Sequence, residues 1–306
     1  MRSTVQGDAD MAAAITHAAS QQTGMTIRYL VDRGMVENAY RAYGYFRWVD
    51  DWLDREDRPR QERLAFVTRQ KDLVDACYHG NASAERLPEE WMLVNLIASD
   101  PDPASGLQVY IRDMMSVMAF DAERRGRQIS QSELDQYTHW LASAVTEAMH
   151  YFIGHCGCAP KCDARYLAVS GAHITHMLRD TLEDAEAGYD NVPQEAAAHP
   201  LSPLDVKAPA YRDWVKGRVQ KARQCFRAGR EYLAQVESLR CRLAGYAYMR
   251  RFEWVLDSIE RDGYVLRRQY PERKERGRAL EMIGAALWLA LQDRRPLPNF
   301  RFVTGR

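Results

Sequence analysis

Apolar residues recur along most of this chain at intervals of three and four positions, the spacing that places them on one face of an α-helix. Alternating runs of β-branched residues and Asn-Gly hairpin signals, which would indicate strands, are nearly absent. The periodicity predicts helices over Ala12–Ala19, Gly24–Arg33, Val36–Leu53, Pro59–His79, Glu89–Ala98, Gly106–Arg124, Gln131–Ile153, Arg165–Glu186, Tyr211–Gln235, Ser238–Asp262 and Arg273–Leu291. We therefore predict an all-α protein.

Helix-breaking segments separate these predicted helices. Segment 100–106 is rich in turn residues, and segment 191–209 contains four prolines and should be a surface connection. Ser130 and Glu133 fit a capping box at the start of a helix. Because there is no internal repeat and no low-complexity tract, we predict one helical domain over residues 1–306, in which residues 1–20 are allowed to be flexible.

The composition narrows the class of protein. The chain has 306 residues, of which 46% are hydrophobic, enough for a large core. Its 42 lysines and arginines balance 42 aspartates and glutamates, so no global charge draws it toward nucleic acid. We find neither a signal peptide nor an apolar run long enough to span a bilayer. We expect a cytoplasmic protein whose apolar segment 282–291 makes at most a peripheral membrane contact.

Three cysteines stand close together near the middle of the chain. Cys156, Cys158 and Cys162, with His155, offer four groups of the kind that bind zinc. Their C-x-C-x₃-C spacing is not a common zinc pattern, and no second pair follows. We therefore favour a loop with incidental reduced thiols over a structural zinc site.

Segment 43–54, Y-G-Y-F-R-W-V-D-D-W-L-D, places carboxylates on an aromatic-rich helix. Asp50 and Asp54 are four residues apart and therefore point to one side of the helix, with Arg47 one turn before Asp50. Like charges at this spacing destabilise a helix by about 0.2–0.5 kcal/mol unless something neutralises them. A divalent cation would do so.

A second predicted helix repeats this arrangement. Asp180 and Asp184 are again four residues apart, Arg179 directly precedes the first of them, and the preceding stretch 166–178 is mostly apolar or small. One D-x-x-x-D pattern arises by chance on many solvated helices, but two, each beside an arginine in an apolar helix, indicate one shared site. Mg²⁺ prefers carboxylate, water and phosphate oxygens, and arginine binds phosphate bidentately. The pattern predicts a Mg²⁺–phosphate site between two helices.

These segments resemble the two aspartate-rich motifs of the squalene/phytoene synthase family, the head-to-head prenyl synthases. The second resemblance, L-R-D-T-L-E-D-A-E-A-G-Y-D-N-V-P over 178–193, is the more specific. Segments 118–121 (M-A-F-D), 134–137 (L-D-Q-Y) and 252–264 (F-E-W-V-L-D-S-I-E-R-D-G-Y) resemble further family motifs in the expected order. The resemblance implies an isoprenoid-synthase-type helical bundle around a central cavity.

The resemblance also implies an activity and assigns residues to it. Such enzymes bind two allylic diphosphates, farnesyl or geranylgeranyl diphosphate, with Mg²⁺, ionise one and join their C1 ends. By resemblance, Asp50, Asp54, Asp180 and Asp184 bind the metal, assisted by Asp51; Arg47 and Arg179 bind diphosphate; and Tyr43 and Tyr137 line the reacting centre. No secure NADPH motif is visible, so a reductive step stays open, as does the oligomeric state.

Several positions depart from the family pattern. The glutamine and asparagine that usually precede L-R-D are His173 and His176 here, and imidazole is a poor Mg²⁺ ligand. His176 is predicted to face the metal cluster as a diphosphate donor or an acid–base group, and His173 to contact substrate, although both could simply be core residues. Further departures are Thr146 for glycine, Phe252 for tyrosine, and Gln269 for arginine, beside which Arg268 is predicted to bind substrate.

Three functions follow from this pattern. The leading prediction is head-to-head coupling to a squalene-, presqualene- or phytoene-type product. The alternative is a class I terpene synthase that ionises and cyclises a single prenyl diphosphate. The departures from the family pattern are the reason to consider it. The third is a non-catalytic scaffold relative, which the retention of all four aspartates disfavours.

Overall fold

The computed structural model describes residues 2–80, 85–100, 102, 104–154, 159–196, 202 and 204–270, with two isolated positions, 284 and 288. Within these residues all of the regular secondary structure is helical. Its α-helices are α1 (Arg2–Ala19), α2 (Gln21–Leu30), α3 (Val36–Leu53), α4 (Arg60–Tyr78), α5 (Glu90–Ala98), α6 (Gly106–Arg124), α7 (Gln131–Phe152), α8 (Leu167–Glu186), α9 (Pro209–Leu233) and α10 (Leu239–Arg261). Short 3₁₀ helices cover Arg33–Met35, Asp163–Tyr166 and Gln194–Ala196. The predicted all-α class is confirmed.

The observed helix boundaries follow the local sequence. The Ser130 side chain accepts a hydrogen bond from the Glu133 backbone, and the Glu133 side chain accepts one from the Ser130 backbone, which confirms the predicted capping box. The helix expected to start at Ala12 begins at Arg2, and the one expected from Arg165 opens as a 3₁₀ turn. The helix predicted over 273–291 lies outside the described ranges apart from its two isolated positions.

One hydrophobic cluster extends from α1 to the segment after α10. Close helix contacts fix the helices around it. A Cβ atom at Gly44 of α3 would meet the Ala12 backbone of α1 at 2.9 Å, and one at Gly229 of α9 would meet the Ala168 backbone of α8 at 2.6 Å. Only glycine allows helix backbones to approach this closely.

Helix α1 is also held by charge. Buried Asp8 accepts a hydrogen bond from Nε of buried Arg41 on α3 at 2.9 Å and another from Nδ2 of Asn95 on α5 at 3.0 Å. Part of the first 20 residues is thus fixed against α3. In the part of the chain that the structure describes, no helix is both long and apolar enough to cross a membrane.

Candidate active site

The first predicted aspartate pair lies at the C-terminal end of α3. Asp50 occupies the last turn, and Asp54 is the C-cap residue. Arg47 is positioned one turn earlier, with Nη1 at 3.4 Å from Asp50 Oδ2 and Nη2 bonded to Asp51. Because the C-terminus of a helix carries partial negative charge, two further carboxylates there are unfavourable without a cation.

The protonation behaviour of this pair reflects that conflict. Burial, followed by the charges of Asp54 and Asp121, raises the pKa of Asp50 to about 7. Burial and Asp121 also raise the pKa of Asp54 above its ordinary value. Arg47 lowers both, but not enough to offset the negative charge.

The second predicted pair lies at the C-terminal end of α8. Asp180 is bound by its neighbour Arg179 and by His176, whose Nε2 is 2.8 Å from Asp180 Oδ2. Burial would raise the pKa of Asp180, but these hydrogen bonds outweigh it and hold the pKa well below its usual range. The first member of this pair is therefore already neutralised within the protein.

Asp184 differs from Asp180. Burial and the charge of Asp180 raise its pKa to about 7, although Nδ2 of Asn191 donates a hydrogen bond to its Oδ2 at 2.6 Å. Asp184 thus shares with Asp50 and Asp54 the environment of a carboxylate that lacks a cation.

Asp121, at the C-terminal end of α6, connects the two pairs. Its charge raises the pKa of Asp50, Asp54 and Asp184, so it lies within electrostatic range of both helices. Asp121 accepts hydrogen bonds from Tyr137 Oη at 2.9 Å and from Arg124 Nε at 2.6 Å. The carboxylates of α3, α6 and α8 therefore converge, as a shared site requires.

Two further contacts tie the loop after α8 to this centre. Nη1 of buried Arg124 donates to Asn191 Oδ1 at 2.7 Å, so Asn191 joins α6 to the Asp184 carboxylate. Tyr189 Oη donates to Asp54 Oδ1 at 3.4 Å. Segment 191–209 was expected to be a surface connection; its first residues are instead buried, because the Asn191 amide is needed between these charges.

The remaining predicted site residues line the interior beside the carboxylates. Tyr43 is partly buried on α3 within electrostatic range of Asp50. Tyr137 packs edge-on against His173, with ring centroids 5.0 Å apart. His173 is only 4% exposed, and neither ring nitrogen has a hydrogen-bond partner within the described structure. The Thr146 hydroxyl is buried and unpaired in the same way.

The structure places Arg268 outside this group. Its side chain is 64% exposed and pairs with Glu186. The adjacent Arg267 bonds Asp262 at 2.5 Å. Arg268 was predicted to bind substrate, but in this position the acids that raise its pKa are Glu186 and Glu183 rather than the four aspartates. An exposed pair of this kind is weak, since solvent screens it.

Sequence reasoning missed several members of the site. Asp121 appeared only as part of a family motif, and Arg124, Tyr189 and Asn191 were not assigned roles. Asp121 and Arg124 are three residues apart near the end of α6, a spacing that is a usable signal for a charge pair on one helix face. Asn191 carries no such signal, because its importance comes from contacts between α6 and the loop after α8.

The donor set fits a cation. In the regions described, no three carboxylate, imidazole or thiol groups are close enough to form a ready metal cage. Mg²⁺ needs no such cage, because it keeps several waters and takes one or two carboxylates together with phosphate oxygens. Asp50, Asp54 and Asp184, with pKa values raised by burial and mutual repulsion, provide the carboxylates.

A small cleft lies between the end of α7 and the start of α10. His150 and Cys241 line it, and their Nδ1 and Sγ atoms are 3.7 Å apart. Cys162 is exposed, whereas the other three zinc-ligand candidates weighed from the sequence lie outside the described residues. Glu237 is the one carboxylate among the described residues that line this cleft.

Two curated proteins are similar to this chain in sequence. Presqualene diphosphate synthase from Rhodopseudomonas palustris (strain ATCC BAA-98 / CGA009) is 27% identical over 169 residues, 54% of this chain and 56% of that protein. The enzyme of the same name from Zymomonas mobilis subsp. mobilis (strain ATCC 31821 / ZM4 / CP4) is 26% identical over 174 residues, covering 56% of each chain. The match therefore spans just over half the length of these curated relatives.

Solved structures share the fold at lower identity. A squalene synthase from Alicyclobacillus acidocaldarius superposes with a TM-score of 0.69 at 19% identity, covering 86% of this chain and 97% of that one. A dehydrosqualene synthase in complex with a ligand gives a TM-score of 0.68 at 14% identity, covering 94% and 98%. The squalene/phytoene synthase family model matches residues 17–276. The chain belongs to the squalene/phytoene synthase family.

Proposed function

We propose that this protein is a Mg²⁺-dependent prenyltransferase that ionises an allylic diphosphate and couples it head-to-head with a second one. A presqualene diphosphate-type product is the form of this activity that its curated relatives suggest. The convergence of carboxylates from α3 and α8 around Asp121 carries the proposal. Such a centre is unfavourable unless a cation is bound, and a cation–diphosphate cluster supplies that charge.

The residues of the chain provide what the ionisation needs. Breaking an allylic C–O bond leaves a diphosphate anion and a carbocation. Arg179 and Arg47 are placed to bind diphosphate oxygens, and His176 can donate from Nε2. When bound, Mg²⁺ neutralises the charge that develops on the leaving group. Because each arginine pairs with an aspartate in the free protein, binding exchanges these partners rather than creating new buried charge.

The apolar wall beside the carboxylates suits the carbocation. Phe120 and Tyr137 have ring centroids 5.2 Å apart, and Trp140 lies 6.4 Å from Phe120. Aromatic faces attract positive charge, and an apolar surrounding excludes the water that would capture the cation. The wall therefore protects the intermediate until the second substrate attacks.

A product assay tests this proposal. The full chain is incubated with Mg²⁺ and farnesyl or geranylgeranyl diphosphate, with an EDTA-treated sample as control, and the extract is analysed by mass spectrometry. A C30 or C40 coupled product that needs Mg²⁺ supports the proposal. Intact substrate under all conditions contradicts it and supports a scaffold protein.

A terpene synthase is the second candidate, and departures from the family pattern inside the bundle favour it. His173, which stands where the family has glutamine, presents two unpaired ring nitrogens beside Tyr137. Phe252 also lies within the His176 environment, with ring centroids 6.2 Å apart. A cyclic C15 or C20 product in the same assay would indicate that the protein cyclises one substrate instead of coupling two.

A further inference from the structure

Arg251 of α10 lies near Asp180 of the α8 pair, on a third helix. Its guanidinium carbon is 5.6 Å from the centroid of the Phe252 ring, and the same ring lies 6.2 Å, centroid to centroid, from the His176 imidazole that binds Asp180. Arg179 and Asp180 of α8 and Tyr43 of α3 also lie within its electrostatic range. Arg251 is partly buried, so its guanidinium is only partly accessible to solvent.

Arg251 differs from the other arginines nearby in having no acid of its own. Arg250, its neighbour on α10, lies 3.5 Å from Glu253, and Arg223 of α9 pairs with Glu260 at 2.8 Å. Among the described residues, Arg251 has neither a hydrogen bond nor an ion pair. Asp180, the acid within its range, is already bound by Arg179 and His176.

A partly buried guanidinium without a partner is costly unless an anion joins it. Burial lowers the pKa of Arg251, and the nearby charge of Arg179 lowers it further. Two guanidinium groups close together, with an imidazole beside them, match an anion that carries several oxygens and more than one charge. A diphosphate has these properties, and arginine can bind its oxygens bidentately.

The described arginines at the C-terminal side of α10 are already engaged by acids. Gln269 stands where the family pattern has an arginine, while Arg267 bonds Asp262 and Arg268 pairs with Glu186. Arg251 has no such acid among the described residues, so its charge is available to an anion beside Asp180.

We propose that Arg251 is a diphosphate-binding residue, which together with Arg179 and His176 holds the diphosphate of an allylic substrate at the α8 end of the site. The identity of that substrate rests on the proposed function. Binding of a bare diphosphate does not, because it depends only on the charges described above.

The test compares Arg251→Gln with Arg250→Gln, a matched change of the adjacent arginine on the same helix. Calorimetry measures the affinity of the full chain for inorganic pyrophosphate with Mg²⁺ present. We expect Arg251→Gln to weaken binding about tenfold or more and Arg250→Gln to leave it within about twofold. The KM for farnesyl diphosphate should rise in parallel for Arg251→Gln.

The outcomes separate this inference from the proposed function. If Arg251→Gln weakens pyrophosphate binding although the wild-type chain forms no prenyl product, Arg251 keeps its role and the proposed function fails. If the wild-type chain forms product but Arg251→Gln binds pyrophosphate as well as wild type, Arg251 has no such role. The role is also refuted if the wild-type chain binds no pyrophosphate.

A conservative variant covers the case in which Arg251→Gln does not fold. Arg251→Lys keeps the charge and loses only the bidentate geometry, so binding should weaken by about threefold. Folding of each variant is checked by thermal melting. Unchanged pyrophosphate affinity in a folded Arg251→Lys protein would count against the role.

Discussion

The two aspartate pairs have the same spacing, but their first members stand in opposite electrostatic settings. On α3, Asp50 and Asp54 both have raised pKa values, and the Arg47 guanidinium is shared with Asp51. On α8, Asp180 is bound by Arg179 and His176, and Arg251 approaches from α10, whereas the pKa of Asp184 is raised like those of the α3 aspartates. The α3 pair and Asp184 thus have an excess of negative charge, whereas Asp180 is surrounded by positive groups.

The positions before the two pairs differ as well. Tyr43 and His173 each stand seven residues, about two helical turns, before the first aspartate of their pair. Tyr43 is partly buried within electrostatic range of Arg47 and Asp50, while both nitrogens of buried His173 lack a partner in the described structure. A repeated spacing therefore does not make the two helices equivalent. The α3 pair and Asp184 are suited to a cation, and the positive groups around Asp180 to the anion that comes with it.

The largest expected effect comes from removing a carboxylate of the α3 pair. Asp50→Asn should slow Mg²⁺-dependent turnover by about a hundredfold to a thousandfold, because charge stabilisation of the leaving group is lost. Pyrophosphate release measures this. Asp57→Asn, an exposed partner of Arg55, is the control and should keep wild-type turnover. Equal turnover rates for the two variants would show that Asp50 of α3 takes no part in the reaction.

Among these substitutions, removal of Asp121, the residue between the two pairs, should lower the free energy of unfolding the most. Asp121→Ala leaves buried Arg124 without its carboxylate, and breaking a buried pair costs about 3 kcal/mol. Urea unfolding measures the free energy. Asp135→Ala, which breaks the exposed pair with Lys221, should cost less than about 0.5 kcal/mol. Similar losses in the two variants would mean that Asp121 is not buried between the helices.

In the absence of metal, removing one charge from each pair should change the free energy of unfolding in opposite directions. Asp180→Asn should lower stability by about 1.5 kcal/mol, because Arg179 and His176 lose a charged acceptor. Asp50→Asn should raise it by about 0.5 kcal/mol through relief of repulsion. This gain is small because 38% of the Asp50 side chain is exposed to solvent. Thermal melting in EDTA measures both, and changes of equal sign would contradict the comparison.

The smallest effect concerns the positions two turns before each pair. His173→Phe should raise stability by about 0.5–1 kcal/mol, because an unpaired buried polar group is replaced by an apolar ring of similar shape. Tyr43→Phe should leave it within about 0.5 kcal/mol of wild type, because the ring keeps its apolar packing and only a partly buried hydroxyl is lost. Chemical denaturation compares them. A destabilised His173→Phe protein would mean that its nitrogens have a partner.

The helices and the two aspartate pairs could be predicted because both are local patterns. Spacing of three and four residues located α3 and α8, and the i, i+4 aspartates required only the geometry of one helix. The residues between the pairs could not be predicted in this way. Asp121 acts through contacts with α3 and α8, and Asn191 through contacts with α6.

Arg251 and Arg268 also show where prediction from local sequence patterns fails, one as a residue that was missed and the other as a residue that was favoured although the fold places it at the surface. Sequence alignment favoured Arg268, because it stands beside a family arginine position, but the fold pairs it with Glu186 at the surface. Arg251 has no motif that marks it, and only the packing of α10 against α8 brings it to the site. Which arginine meets a ligand depends on tertiary contacts, and local sequence patterns do not reveal them.

The bond between Asp8 and Arg41 has a practical consequence for handling this protein. Arg41 precedes Arg47 on the same helix, so α1 holds in place the helix that carries Asp50 and Asp54. An N-terminally trimmed preparation would leave a desolvated guanidinium behind and loosen α3 while every aspartate remained in place. Such a sample would lose activity because α3 is displaced and not because a site residue is missing. Affinity tags are therefore better attached through a spacer that leaves α1 intact.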